Sequence, residues 1–320
     1  MRHRFLRKQP AMRRVILATA PCIGGSVYYF GWRSLAVVIV SCMAALATEY
    51  FFCRKRGEPV SEAALVTGIL YALVMPPTVP WHVLITGIVF AIVMVKEAFG
   101  GFGNNIFNPA LAGRCFVYIS FPVAMTAAWI PPAQGPAGAL LSWTSGGSDA
   151  VTSATPMALM KAGELTVSGA DIFYGLFLGR IAGTMGVTSA LLILAGGMYL
   201  FLTRTADRIM IITVIAVYAI LNQVLHIAGV APVPGALTAV FGGGFLFGAF
   251  FMVTDPVSSP STTPAKIAYA ILIAVCTVVI RNFSIFNGGL MFSILIGNMF
   301  APVFDYAAGK RRQPEASAVS

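Results

Sequence analysis

Apolar residues come in long runs along this chain, separated by short polar or basic breaks. A helix that crosses the hydrocarbon core of a bilayer needs about 20 apolar residues, within a range of roughly 17–25. Ten runs meet or approach that length: 15–31, 34–52, 61–76, 82–99, 106–122, 184–203, 208–226, 234–253, 266–281 and 288–307. Two of them are interrupted. The third stops at Pro76-Pro77, and the eighth is rich in glycine around Gly242, Gly243 and Gly244. Short or Gly/Pro-broken segments at matching places in two halves point to broken helices around a central site. The pattern predicts an all-α polytopic membrane protein of about ten transmembrane helices, five on either side of a polar break at about 123–172.

The two sets of five share local sequence. Ile106-Phe107-Asn108 recurs as Ile285-Phe286-Asn287, and Pro77 recurs as Pro256, both at an offset of 179. Phe121-Pro122 and Ala301-Pro302 are expected to end the fifth span of each half. An odd number of spans per unit makes the second unit inverted, the arrangement of transporter-like folds. The expected organisation is a basic N-terminus at 1–14, a first five-helix repeat at 15–122, an extracytoplasmic loop and connection at 123–183, a second repeat at 184–307 and a tail at 308–320.

Composition sharpens this. Only 10% of the residues are charged and 58% are hydrophobic, whereas a soluble domain carries about 25% charged residues. An ordinary soluble enzyme and a disordered chain are excluded. The net charge of +10 would suit nucleic acid, but its placement does not. With the N-terminus in the cytoplasm, sixteen basic residues fall on the cytoplasmic side and four outside, namely Arg33, Lys161, Arg180 and Arg281. Arg114 lies within the fifth span. This is the positive-inside bias of a membrane protein. It places both termini in the cytoplasm and the 123–172 break outside, with no nucleic-acid partner. The five cysteines are far apart with no C-x-x-C pair, and His3, His82 and His226 are scattered, so no metal centre is expected.

The outer break contains Asp149-Ala150-Val151-Thr152-Ser153-Ala154-Thr155-Pro156. On its own this stretch reads as a turn, or as the start of a short helix at Met157–Lys161. Ser153 or Thr155 would cap it, with Pro156 in the first position. A helix start also offers free N–H groups that suit a phosphate. The stretch resembles the D-[GA]-x-[ST]-[GS]-A-T signal on which a flavin transferase places FMN, with the last threonine esterified through the phosphate.

Ten-span membrane proteins with this signal are the D-type subunit of the Rnf complex and its relative, the B-type subunit of the sodium-pumping NADH:quinone reductase (Nqr). Further residues carry the same resemblance. Leu65-Val66-Thr67-Gly68 with Pro76-Pro77-Thr78 is similar to the family's third span. Lys96 to Gly103, Asn105 and Phe107-Asn108-Pro109-Ala110 are similar to its GK-E/Q-x-[FY]-GG-x-G-x-N-x-x-NPA run. Thr254 to Ser258 matches its TDPVS loop, and Asn298, Ala301-Pro302 and Asp305 match its last span. The resemblance covers roughly residues 10–312. The short segment before the first span is like the Rnf type, while Asn108 to Phe116 is closer to the Nqr type. One departure stands out: Val187 occupies a position where the family often has glutamate, and that carboxylate's role does not carry over.

The resemblance implies a membrane subunit of an ion-translocating oxidoreductase in a bacterial or archaeal inner membrane. It implies FMN on Thr155, within a motif that includes Asp149, Thr152, Ser153 and Ala154. It implies a second, non-covalent flavin (riboflavin) near Gly100, Gly101, Asn105 and Asn108, which otherwise read as a tight turn between helices. It implies cation coupling through Glu97, Asp255 and Asp305. Read alone, Glu97 beside Lys96 is an interfacial pair and Asp255 before Pro256 is a cap. Arg114 and Arg180 are candidates to neutralise a carboxylate or a flavin phosphate. The implied partners are the other subunits, one of them an extracytoplasmic FMN carrier, a flavin transferase, and Na+ or H+. An Nqr-type subunit delivering electrons to quinone is the alternative. A plain small-solute transporter or channel would explain the fold and the acids but not the Asp149–Thr155 signal.

Overall fold

The computed structural model describes residues 6–126, 129–133, 135, 137–145, 169–179, 183–284, 286 and 288–310. These residues are mostly helical. The first half holds α1 (Pro10–Phe30), α2 (Trp32–Arg56), α3 (Glu62–Leu73), α4 (Trp81–Phe90) and α5 (Pro109–Ser120). A short α6 (Pro122–Thr126) and α7 (Gly169–Leu178) follow. The second half holds α8 (Ala190–Leu202), α9 (Arg208–Ile227), α10 (Ala236–Phe241), α11 (Phe245–Phe251), α12 (Thr263–Phe283) and α13 (Gly289–Lys310). A two-residue parallel pair joins β1 (Leu6–Arg7) to β2 (Val60–Ser61). Five of the helical segments are long and apolar enough to cross a membrane: Trp32–Arg56, Trp81–Phe99, Arg208–Ile227, Thr263–Phe283 and Gly289–Gly309. The chain is a multi-pass membrane protein by these segments.

Local chemistry explains most helix ends. Pro10 opens α1, where its missing N–H costs nothing. Gly57, with φ of 72°, closes α2 in the left-handed conformation. The Oδ1 of Asn108 accepts the N–H groups of Ala110 and Leu111 at 3.1 and 3.3 Å, and Pro109 takes the first turn of α5. The NPA run is thus a helix cap. Asp207 caps α9 in the same way, and Lys266 reaches it at 2.6 Å. Burial pushes the Asp207 carboxyl up, but that ammonium and the N–H groups of Met210 and Ile209 outweigh it and hold it below its ordinary value.

Several elements differ from the sequence pattern. The third run ends as a helix at Leu73, and the run expected from 184 becomes helical only at Ala190. The two departures share a cause. The N–H of Gly186 donates to Leu73 O at 2.8 Å, and that of Met185 to Met75 O at 3.2 Å. The turn before α8 thus satisfies carbonyls exposed by the early end of α3. The fifth run starts late, at Pro109, because Asn108 is its cap. The eighth run is split at Gly242–Gly244 into α10 and α11. Part of the 123–183 connection is the helix α7. Pro302 does not end the last helix, which continues to Lys310. Its final turns are tied down by Asp305, which bonds to Ser261 and Thr262.

Packing within the halves follows one scheme. In the first, α3 touches α1, α2 and α5, while α4 touches α2 and α5. In the second, α11 touches α8, α9 and α13, while α12 touches α9 and α13. The halves meet through α1 against α8 and through α5 against α13. Gly68 permits the tightest contact of α2 with α3. A Cβ there would lie 2.9 Å from the Cα of Cys42, and Ser41 Oγ donates to Gly68 O at 2.8 Å.

Candidate functional site

Where α1 meets α8, the bundle forms a partly open cavity whose space, counted together with its solvent-open part, is about 770 Å³. The first half supplies Met12 and Val15 of α1, Val66, Thr67 and Leu70 of α3, and Lys96, Phe102, Asn105 and Asn108. The second half supplies Leu200, Thr205, Phe250, Phe251 and the stretch Thr254–Val257. Most of the wall is apolar, with a few polar groups converging on it, as in small-molecule sites.

Two asparagines bring unused hydrogen-bonding groups to this wall. Asn105 spends its Nδ2 on Phe107 O at 3.0 Å, and Asn108 spends its Oδ1 on the start of α5. Among the described residues, Asn105 Oδ1 and Asn108 Nδ2 have no hydrogen-bond partner. Both residues are buried. One acceptor and one donor remain for a ligand with a mixed polar edge.

Gly100 and Gly101 lie elsewhere. They close the helical segment that begins as α4. That segment widens into a π-helical turn at Ala91–Lys96, then tightens at Glu97–Phe99. Gly100 and Gly101 have φ of 104° and 92°, which only glycine adopts readily. A Cβ on Gly101 would lie 2.9 Å from the Arg56 guanidinium. Neither residue lines the cavity.

Lys96 and Glu97 are adjacent in sequence but not paired with each other, which corrects the interfacial-pair reading. Neighbouring helical residues face apart. Lys96 Nζ binds Glu49 Oε2 of α2 at 2.6 Å and Ser61 Oγ at 2.8 Å. The other Glu49 oxygen accepts from Ser61 N and Ser61 Oγ. Glu97 instead pairs with Arg56 at 2.5 Å, and its second oxygen is buried with no partner among the described residues. A third pair, Arg13–Glu62 at 2.6 Å, joins α1 to α3 beside the β1–β2 pair. Glu49 stands out in the chain as a charge within an apolar run, but nothing local points from Glu49, Arg56 or Arg13 to a partner. Each is separated from its partner by 41 to 49 residues, so only the fold reveals the pairing.

The three acids expected to handle cations occupy three separate settings. Asp255 lines the cavity, and its oxygens accept from Val257 N and Ser258 Oγ. Glu97 is held by Arg56. Asp305 accepts from the N–H and hydroxyl of both Ser261 and Thr262 at 2.8–3.1 Å, and so caps α12 from α13. No group of three or more His, Cys, Asp or Glu is placed to hold a metal ion among the described residues. Val187 packs its side chain on Gly244, where α10 breaks from α11. Arg114 forms no ion pair with a described carboxylate, and Tyr71 and Tyr118 are its electrostatic neighbours. The flavinylation residues Asp149, Thr152, Ser153, Ala154 and Thr155 lie outside the described residues, as do Arg180, Ile285 and Asn287.

Known proteins resemble this chain along almost its whole length. Residues 3–313 match the model of the NQR2, RnfD, RnfE family. The D-type subunit of the Na(+)-translocating ferredoxin:NAD(+) oxidoreductase complex of Acetobacterium woodii is 36% identical, over 92% of this chain and 87% of that one. The D-type subunit of the ion-translocating oxidoreductase complex of Alcanivorax borkumensis is 33% identical, over 92% and 89%. The D-type subunit of the proton-translocating ferredoxin:NAD(+) oxidoreductase complex of Clostridium ljungdahlii is also 33% identical, over 92% and 88%.

Proposed function

Because the chain belongs to the NQR2, RnfD, RnfE family, we propose that it is the D-type membrane subunit of an Rnf-like complex, an ion-translocating oxidoreductase that it completes only together with other subunits. In this reading it carries electrons through FMN esterified to Thr155 on the outer face and a second flavin in the cavity between the halves. Their passage is coupled to movement of Na+ or H+. The relatives' names include both ions, and the cavity chemistry does not favour one. The ten apolar runs are ten crossings in two inverted repeats. The shared packing scheme of α1–α5 and α8–α13 supports that duplication. The termini face the cytoplasm and the segment with Thr155 faces out. The extracytoplasmic FMN subunit and the flavin transferase are the partners this topology requires.

The observation that carries the second-flavin reading is the pair of unspent amide groups on an apolar cavity wall. A flavin ring is flat and apolar on its faces, and its pyrimidine edge alternates donors and acceptors. Asn108 Nδ2 would donate to that edge and Asn105 Oδ1 would accept from it. Met12, Val15, Phe250 and Phe251 would exclude water from the faces. When bound, the flavin supplies the one- and two-electron chemistry that side chains lack. The protein's part is to hold the ring, keep it dry and surround it with fixed charges.

The test begins with denatured protein from cells that co-express a flavin transferase. Flavin fluorescence should survive SDS electrophoresis in the wild type and vanish in Thr155→Ala. A wild-type band with no fluorescence sinks the covalent part. Native Thr155→Ala protein should still release riboflavin on heating, and Asn105→Ala with Asn108→Ala should not. Equal release from all forms removes the cavity as its site.

A further inference from the structure

Among the described residues, Lys96 and Asp255 are the only ionisable ones on the cavity wall. They differ in what stands behind them. Asp255 is turned onto a backbone N–H and a serine hydroxyl of its own loop. Lys96 is backed by a full opposite charge, Glu49. The side chains of this pair are each 2% exposed. The Lys96 ammonium also lies 5.8 Å from the centre of the Phe102 ring, which forms the adjoining wall. Ser61 Oγ, receiving from Lys96 and donating to Glu49, holds the two in register. The π-helical turn ending at Lys96 sets the side chain toward α2. In a low-dielectric interior, a charge placed this close is felt strongly by any ligand.

We propose that Lys96 sets the charge state of the cavity's ligand, and that Glu49 opposes it from one hydrogen bond behind. The inference rests on reading the cavity as a flavin site. An ammonium beside the ring favours its reduced, negatively charged form over the neutral oxidised one, and so raises the midpoint potential. The Glu49 carboxylate partly cancels that field. The two members of one ion pair therefore pull the potential in opposite directions. A pair that merely fastened α2 to the π-helical turn after α4 would give both substitutions the same effect, through lost packing.

The experiment is a redox titration of the full chain in detergent, followed by absorbance. A Thr155→Ala background leaves only non-covalent flavin to titrate. Lys96→Gln should disfavour the reduced form about tenfold, which is about 30 mV lower for a two-electron couple. Glu49→Gln should favour it by a similar factor, and Lys96→Arg should stay close to the parent. An unmoved potential in both glutamine variants overturns the proposal, and so does a shift in the same direction. If Lys96→Gln does not accumulate, Glu49→Gln decides: a potential unmoved or lowered refutes it. Absence of flavin from the Thr155→Ala parent overturns the cavity reading itself and takes this inference with it. Bound flavin with an unresponsive potential overturns this inference alone.

Discussion

Asp305 shows how far a residue's type can stand from its setting. Its match to a coupling acid suggests a carboxylate waiting for a cation, yet all four of its contacts are spent on Ser261 and Thr262. It caps a helix that it does not belong to. Removing a capping carboxylate costs about 0.5–2 kcal/mol. Asp305→Ala should lower the thermal unfolding midpoint in detergent, while Asp305→Asn recovers part of the loss. Riboflavin affinity should be the same in all three, because Asp305 does not line the cavity. Weakened riboflavin binding in Asp305→Ala with unchanged stability would contradict the capping role. Lys96 gives the converse lesson. Its partner lies 47 residues away on another helix, and no spacing rule connects them. Both residues stand out in the chain as charges within apolar runs, but nothing there pairs them, because ion pairs between helices are decided by packing rather than by period.

At the scale of elements, the hydrophobic pattern was legible wherever a helix runs unbroken, as in α2, α9 and α12. It overran where backbone groups are satisfied from outside the helix. The turn before α8 donates hydrogen bonds to carbonyls at the end of α3 across the halves, so apolar residues such as Met75 and Met185 are buried without being helical. Hydropathy reports burial and cannot distinguish these from helix. Glycines report something finer. Gly68 sits in the stretch that resembles the family's third span, and the structure gives the reason: α2 passes too close for any side chain. Overpacking such a contact costs about 1–3 kcal/mol. Gly68→Val should lower the unfolding midpoint and the yield of folded protein. Gly57→Ala, at a position open to solvent, should give a smaller loss confined to its left-handed backbone. Equal losses from the two would argue against a close α2–α3 contact.

Across the whole molecule, charge and topology agree on one end. The basic flank of α1, the Arg56–Glu97 and Lys96–Glu49 pairs and the Asp207–Lys266 pair involve connections that the positive-inside bias assigns to the cytoplasm. The described stretches 129–133 and 137–145 dock at the opposite end. Ala133 and Ala139 donate to carbonyls at the end of α1, and Trp32 and Arg33 donate back to Ser142 and Trp143. A single cysteine at position 105, in a chain freed of its own five, should react with an impermeant maleimide only in inside-out vesicles. Added riboflavin should slow that reaction. Labelling from the outer face would reverse the orientation.

The cavity wall runs from Ala11 to Val257 in chain order. A ribosome adding about 5–20 residues per second needs roughly 12–50 s to travel that distance. Between synthesis of the start of α5 at Pro109 and that of Leu200, the nascent first half presents α3 and the start of α5 with no wall from the second half. Completion of this pocket is therefore a late act of translation, with residues 258–320 still to follow. If the cavity is a riboflavin site, a message truncated before codon 200 lacks every second-half wall residue and should yield a chain that retains no non-covalent riboflavin. On the proposed reading, the non-covalent flavin marks only those chains translated through the second-half wall, whereas the covalent one requires no more than the segment around Thr155.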